Sequence, residues 1–193
     1  MNVKIKNFQT IYQGFLTLEK ATLQFEKFSG EMSKEVERLN VSRGDAVAIL
    51  LYNSKRKKVI LVEQFRFSAY TAAPDQAWML EAIAGSIEKN AKTKETAVRE
   101  IAEESGYHIH KSQLTDLGLC FPSPGTTSER IYLYAVDIAN TPRTSAGGGV
   151  EQENEDIRVR EFDYDEIFIR LQKHEIPDAK TIILLQWLEN TLV

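Results

Sequence analysis

Glu100, Glu103 and Glu104 stand at spacings i, i+3 and i+4, so on a helix they share one face. Carboxylates that close repel one another unless a cation neutralises them. Hard oxygen donors of this kind suit Mg²⁺, with Mn²⁺ as its substitute. A solvated acidic helix is the plainer reading of the same three residues. Their neighbours predict the helix itself. Ala97, Ile101 and Ala102 form a small apolar side opposite the acids, Thr93 is a candidate N-cap, and Gly106 suits the left-handed position after the last turn.

The order of residues around this helix says more than its charge. Gly85, a loop, then Arg99-Glu100-Ile101, Glu103-Glu104, Gly106 and Tyr107 resembles the signature of the Nudix hydrolases. One position departs: Ala91 stands where that signature has its first glutamate. The resemblance implies an α/β fold, a Nudix α/β/α sandwich with a mixed sheet, and catalytic roles for Glu100, Glu104 and Arg99. It further implies that Glu100, Glu103 and Glu104, with the backbone carbonyl of Ala84, hold the metal, while Ala91 leaves the number of ions open.

Length and composition agree with such a protein. The 193 residues, 42% hydrophobic and 27% charged, suit one soluble domain, or one with an appended element. A net charge of −4 gives no electrostatic case for nucleic acid, although a local basic pocket could still take a small phosphorylated ligand. The single Cys120 rules out an intrachain disulfide, agrees with a reducing cytoplasm, and reads as a small buried hydrophobe. No apolar run is long enough to span a membrane and no signal-peptide core opens the sequence. A cytoplasmic protein with no membrane partner is expected.

The elements that must position the acids follow from the hydrophobic pattern. Residues 3–39 read as strands, with period-two alternation at Leu23-Gln24-Phe25-Glu26 and a turn at Phe28-Ser29-Gly30. Residues 46–52 and 59–62 are near-continuous apolar runs joined by a polar hairpin loop. Residues 78–85 read as one buried strand broken by Glu81, a carboxylate that must meet a polar pocket or a positive neighbour. Residues 117–121, 131–136 and 157–159 read as further strands. Residues 164–173 and 178–192 read as helices parted by Pro177, with Asp178 as a cap and Ile167, Leu171, Ile183, Leu184, Trp187 and Leu188 facing inward. His108, His110 and His174 have no ligand-spaced partners and read as surface residues.

The resemblance extends over nearly the whole chain to the branch of the family that acts on ADP-ribose and other nucleoside diphosphate sugars. It implies an N-terminal β element, residues 1–43, and a Nudix catalytic domain, residues 44–193. The N-terminal antiparallel sheet would build a homodimer with swapped strands and with substrate residues crossing between subunits. Phe15 or Tyr12 would then stack on the nucleobase, although for each taken singly a core aromatic is the commoner reading. Glu63-Gln64-Phe65-Arg66 matches the motif of a phosphate-binding arginine, so Arg66 would grip the diphosphate, with a surface ion pair as the competing reading. Arg38 matches a second family arginine. The stretch from Ser123-Pro124-Gly125 to Glu129, rigid by composition, matches the loop beside the terminal sugar. There Glu129 would accept hydrogen bonds from sugar hydroxyls and Ser123 would line the same wall.

Between residues 144 and 156 three consecutive glycines and an acidic run read as a mobile surface loop, a form that suits a lid carrying a base. By resemblance Glu153 is the catalytic base and Glu155 a further metal ligand, with Glu151 a competing candidate for the base. The implied reaction is Mg²⁺-dependent hydrolysis of the pyrophosphate bond of nucleoside diphosphate sugars. ADP-ribose comes first, giving AMP and ribose 5-phosphate. The glycine stretch and Asp178-Ala179-Lys180-Thr181 also look like the GDP-mannose branch, which makes a GDP-mannose pyrophosphatase the alternative. A non-catalytic nucleotide-sugar sensor is the alternative of another class. Against it stand the intact glutamates and the lack of an appended basic or DNA-binding extension.

Overall fold

The computed structural model describes residues 1–150 and 155–192. The chain forms two compact units, Met1–Asp45 with Phe121–Arg130, and Ala46–Cys120 with Ile131–Val193. In the first, β1 (Val3–Gln13), β2 (Thr17–Phe25) and β3 (Val36–Ser42) make an antiparallel sheet in that order. This is the expected N-terminal sheet, and its second turn closes at Gly30 in the left-handed region (φ 84°). β1 is exposed along its whole length and presents Val3, Ile5, Phe8, Ile11 and Tyr12 to solvent. Its outer edge has no strand partner among the described residues. Phe15, in the bend after β1, is almost fully exposed, so neither it nor Tyr12 is a core aromatic. Residues 121–130 join this unit through a bridge from Val41 to Thr127 and a fork from Arg130 to Asp45.

The second unit runs, in chain order, β4 (Ala46–Asn53), β5 (Lys58–Phe65), α1 (Phe67–Ala72), β6 (Trp78–Glu81), β7 (Ile83–Ser86), α2 (Thr93–Glu100), β8 (Thr115–Cys120), β9 (Ile131–Asp137), β10 (Ile157–Asp163), α3 (Tyr164–Gln172) and α4 (Ala179–Thr191). Its mixed sheet has the order β10-β5-β4-β9-β8, with β4 and β9 parallel and the other neighbours antiparallel. The central strands are continuous apolar runs because both their faces are covered. Ala48 and Leu50 face a core shared with Leu61, Leu133, Ile167, Leu184 and Leu188. Val47, Ile49 and Leu51 face a second core with Ala97, Ile101 and Tyr134. α3 and α4 cover the first face and α2 the second, which is the expected α/β/α sandwich. Cys120 is half-buried against the first core, and all three histidines are exposed.

One feature of the sheet decides where the site forms. β4 and β5 pair only at their hairpin end, from Leu51↔Ile60 to Asn53↔Lys58, and then splay apart. Residues 78–86 fill the wedge, as two strands where one was expected. β6 pairs with β5 from Val62↔Glu81 to Phe65↔Trp78, and β7 pairs with β4 from Ala46↔Ser86 to Ile49↔Ile83. Ala82 is the crossing point. Its N–H donates to Thr181 Oγ1 at 2.7 Å, inside the protein. That anchor also sets the rotation of α4: Thr181, Leu184, Leu185 and Leu188 are buried, at the spacings of one helix face. Ile183, expected to face inward, is therefore exposed and Leu185 takes its place.

Candidate active site

α2 begins without a side-chain cap. Lys92 occupies the cap position, and the Thr93 hydroxyl instead shares a 2.7 Å hydrogen bond with Tyr134 OH. The residue expected to cap the helix fastens it to β9. Regular α-helix ends at Glu100. Ile101–Ser105 continue it as one wider π-type turn, which closes on Gly106 in the left-handed region (φ 75°). Such turns recur at functional sites. Ser105 Oγ donates to Ile101 O, and Arg143 Nε donates to Ser105 O at 2.9 Å. In this turn Glu100 and Glu104 are 7% and 3% exposed, while Glu103 is half-buried. Arg99 reaches Glu100 Oε1 through Nη2 at 2.6 Å and Glu103 Oε2 through Nη1.

Glu100 owes its place to Gly85. A Cβ built on Gly85 would lie 1.8 Å from Glu100 Oε1, so only a residue without a side chain admits the carboxylate. Glu104 is more isolated. The backbone of Ala84 hydrogen-bonds to its carboxylate, yet Oε2 is buried with no partner among the described residues. Burial, and then the charges of Glu100 and Glu155, push its pKa well above the carboxylate range. Burial also lifts Glu100, to about 7; Arg99 opposes the rise and the charges of Glu103 and Glu155 add to it. A buried carboxylate oxygen with no donor costs free energy, and a cation beside it removes that cost. The donor set fits a hard divalent ion: Glu100, Glu104 and Glu155 offer only oxygens, and the carbonyl of Ala84 lies on the same strand as Gly85. Among the described residues no three carboxylates already close on one point, and Glu103 is turned to Arg99.

The three glycines are not a free loop. Gly148 N–H donates to Glu104 O at 2.9 Å and Gly149 N–H to Glu103 O at 3.2 Å, satisfying carbonyls that a helix end leaves orphaned. Ile157 N–H closes on Gly148 O at 3.3 Å. At Gly147 (φ 65°) a Cβ would meet Glu104 O at 2.3 Å. The expectation of a mobile stretch is thus corrected for residues 147–149, where glycine serves close approach to the wide turn after α2. Val150 N–H donates to Glu155 Oε2 at 3.0 Å, and Glu155 lies near enough to add its charge to both buried acids. Glu151 and Glu153 lie outside the described residues.

Because the folded carboxyls of Glu100 and Glu104 keep their protons to higher pH than in the unfolded chain, their contribution to stability is complete below their ordinary pKa of 4.5. It is lost as pH rises through the folded value, about 7 for Glu100. The Tm of the EDTA-treated protein is therefore expected to fall across that window, and Mn²⁺ to raise Tm most above it. Equal Mn²⁺ shifts on both sides of the window would remove these two acids from the cation site.

Glu81, 2% exposed, has found the positive neighbours its burial demands. Arg66 donates to it through Nε and Nη2 at 2.7 and 2.9 Å, and Lys180 Nζ bonds its second oxygen. Burial works to raise the Glu81 pKa, but the two cations hold it below the usual range. Lys180 also reaches Asp178 Oδ1 at 3.0 Å, and Asp178 Oδ2 caps α4 by accepting from Thr181 N–H at 3.0 Å. Taking one partner from a buried ion pair costs about 3–5 kcal/mol, so this network is firmly held. Arg66 itself sits where β5 has ended, its backbone still extended (φ −122°, ψ 103°) before the chain turns into α1. Its ion pair is with a buried carboxylate, not a surface one, and it feels the charge of Glu104 as well.

The other residues singled out from sequence belong to the first unit. Arg38 is exposed on β3, with Nη1 donating to Glu37 O at 2.9 Å. Glu129 pairs with Arg43 Nε at 3.4 Å. The carbonyl of Ser123 accepts from the N–H groups of Thr126 and Thr127, both at 3.0 Å, and builds the turn. Sequence reasoning missed site roles for Gly147–Gly149 and for Lys180. The run Asp178-Ala179-Lys180-Thr181 was the available signal for the latter.

Residues 42–185 match the NUDIX domain family. Over 190 residues the chain is 34% identical to the ADP-ribose pyrophosphatase of Escherichia coli strain K12, covering 97% of this chain and 88% of that protein. The ADP-ribose pyrophosphatase of Haemophilus influenzae gives the same identity, with 86% of its length covered. The GDP-mannose pyrophosphatase of Escherichia coli O9:H4 is 31% identical over 177 residues, 92% of this chain and 90% of that protein. A crystal structure of an ADP compounds hydrolase has the same fold, with a TM-score of 0.72 at 20% identity, over 99% of this chain and 96% of that one.

Proposed function

We propose that this chain, which belongs to the NUDIX family, hydrolyses the pyrophosphate bond of nucleoside diphosphate sugars, ADP-ribose foremost. Its relatives are named for ADP-ribose and GDP-mannose, and NUDIX hydrolases generally depend on a divalent metal. The observation that carries the reading is the pair of buried acids, Glu104 with an oxygen that has no partner among the described residues and Glu100 in a seat that a glycine opens for it. A merely solvated acidic helix would keep its acids in water.

A diphosphate bridge resists hydrolysis because its anionic oxygens repel an incoming hydroxide. Mg²⁺, with Mn²⁺ as substitute, is the ion we assign to Glu100, Glu104, Glu155 and the Ala84 carbonyl, with Glu103 assisting. Bound there it supplies charge neutralisation and a more acidic water. The chain's own residues do the rest. Arg99 holds Glu100 and Glu103 in register. Arg66 orients the diphosphate with the N–H groups that Glu81 leaves over. Glu153 accepts the proton of the attacking water on a carboxylate oxygen. Arg38, Ser123 and Glu129 serve the sugar and phosphate ends, and Phe15 or Tyr12 stacks on the base. The products are a nucleoside monophosphate and a sugar phosphate, for ADP-ribose AMP and ribose 5-phosphate.

The exposed apolar strand β1 and its open edge support a homodimer in which residues 1–43 pair across subunits and residues 44–193 form the catalytic domain. A monomeric mass in solution at micromolar concentration would count against it. Among the described residues no helix is long and apolar enough to cross a membrane, and the proposal places the protein in the cytoplasm, without nucleic acid as a partner.

The deciding experiment is a panel of nucleoside diphosphate sugars with Mg²⁺, followed as phosphate released by a coupled phosphatase. ADP-ribose is expected to be consumed fastest. Faster GDP-mannose would favour that branch, and binding without consumption would end the hydrolase reading. Glu153→Gln is expected to lower kcat by about 10²–10⁴-fold while leaving the Mn²⁺-induced rise in Tm in place. If Glu151→Gln brings the larger fall, the base belongs at that position.

A further inference from the structure

We infer that Glu81 and Lys180 are positioning residues, which hold Arg66 as a fixed, outward-facing cation for the diphosphate of the substrate. The inference rests on the hydrolase reading above and deepens it.

The charges give the first argument. Glu81 carries one negative charge and is bonded by two cations, Arg66 and Lys180. Lys180 lies between two carboxylates, Glu81 and Asp178, so the four charges balance, and Glu81 is held by a second cation besides Arg66. Asp178 is fixed in turn as the cap of α4, accepting from Thr181 N–H and Oγ1. Exposure says which of the two cations faces outward: the side chains of Glu81 and Lys180 are 3% and 11% exposed, that of Arg66 41%.

Geometry gives the second argument. The fork to Glu81 uses Nε and Nη2 of Arg66 and so fixes the plane of the guanidinium, leaving Nη1 for a phosphate oxygen. The fork stands on the crossing of the sheet wedge. Glu81 precedes Ala82, whose N–H is held by Thr181, the residue after Lys180. One helix start thus locks both the strand that carries the carboxylate and the ammonium that balances it. Arg66 also lies within electrostatic reach of Glu104.

Lys180→Met keeps the aliphatic stem and removes the charge. It is expected to raise KM for ADP-ribose roughly tenfold with kcat changed by less than about threefold, and Lys180→Arg is expected to restore most of the loss. In an Arg66→Ala background Lys180→Met should add nothing further. A rise of the same size in that background, or an unchanged KM in a folded Lys180→Met protein, would overturn the inference. Should Lys180→Met fail to fold, Lys180→Gln carries the same comparison. Calorimetric binding of ADP-ribose to the same proteins separates the two readings. Affinity lost on removing Lys180 only when Arg66 is present supports the positioning role even in a wild type that turns nothing over, and in that case the hydrolase reading alone fails.

Discussion

Glu104→Gln should lower kcat by about 10²–10³-fold or more and, in the same protein, raise the Tm measured in EDTA. Both effects come from one atom. Glu104 Oε2 is buried with no hydrogen-bond partner among the described residues, and burial together with Glu100 and Glu155 disfavours its charged form. A glutamine of the same shape has no charge to give up on folding and none to repel its neighbours, so the metal-free fold gains above the ordinary carboxylate pKa. It also removes the oxygen donor that a divalent ion needs, so turnover falls and the stabilisation by Mn²⁺ shrinks. Kinetics with Mg²⁺, Tm in EDTA and a calorimetric Mn²⁺ titration read the three consequences separately. A variant that kept wild-type turnover and Mn²⁺ affinity would take Glu104 out of the mechanism. One that lost activity by unfolding would show that the acid is structural.

Gly85→Ala is the second large effect. The added methyl would start 1.8 Å from Glu100 Oε1 and 2.0 Å from Cδ, far inside contact distance, and Glu100, buried and bonded to Arg99, is the group that has to shift. The carboxylate must leave its seat. A displacement of an ångström in a reacting group can cost about 10²-fold in rate, and overpacking typically costs about 1–3 kcal/mol. Gly85 is not among the glycines with positive φ, so backbone strain is not the cause and the loss should appear in kcat and metal affinity. Glu100→Asp, one methylene shorter, should recover part of the lost Tm in the Gly85→Ala protein without recovering turnover. If alanine at this position left kcat untouched, the close approach of Glu100 to β7 would have no catalytic meaning.

Much of this was legible in the chain because the relevant signals are local. The i, i+3, i+4 acids, the glycine before them and Gly106 after them lie within one helix and its flanks, and the apolar runs of β4 and β5 announce a sheet covered on both sides. Glu81 could be read as a charge in need of a partner. The partner could not be read, because Lys180 lies on the last helix and only the fold brings the two together. The break of residues 78–86 at Ala82 left no local mark either, since it reflects the splaying of β4 from β5. The wide turn after Glu100 and the anchoring of Thr93 to Tyr134 are set by packing that overrides helix propensity. Gly147–Gly149 misled for a related reason. Glycine permits mobility and close contact alike, and composition does not tell which one a loop uses.

The splayed hairpin has a consequence for how this enzyme could be retuned. A single stretch of nine residues braces the Arg66–Glu81 pair on one side of the wedge and the seat of Glu100 on the other, so a change there disturbs both at once. Selection for a new base or sugar would find almost no tolerated variants in it. In the proposed site, altered preference would be sought among Phe15, Tyr12, Arg38 and Glu129, which lie outside this stretch.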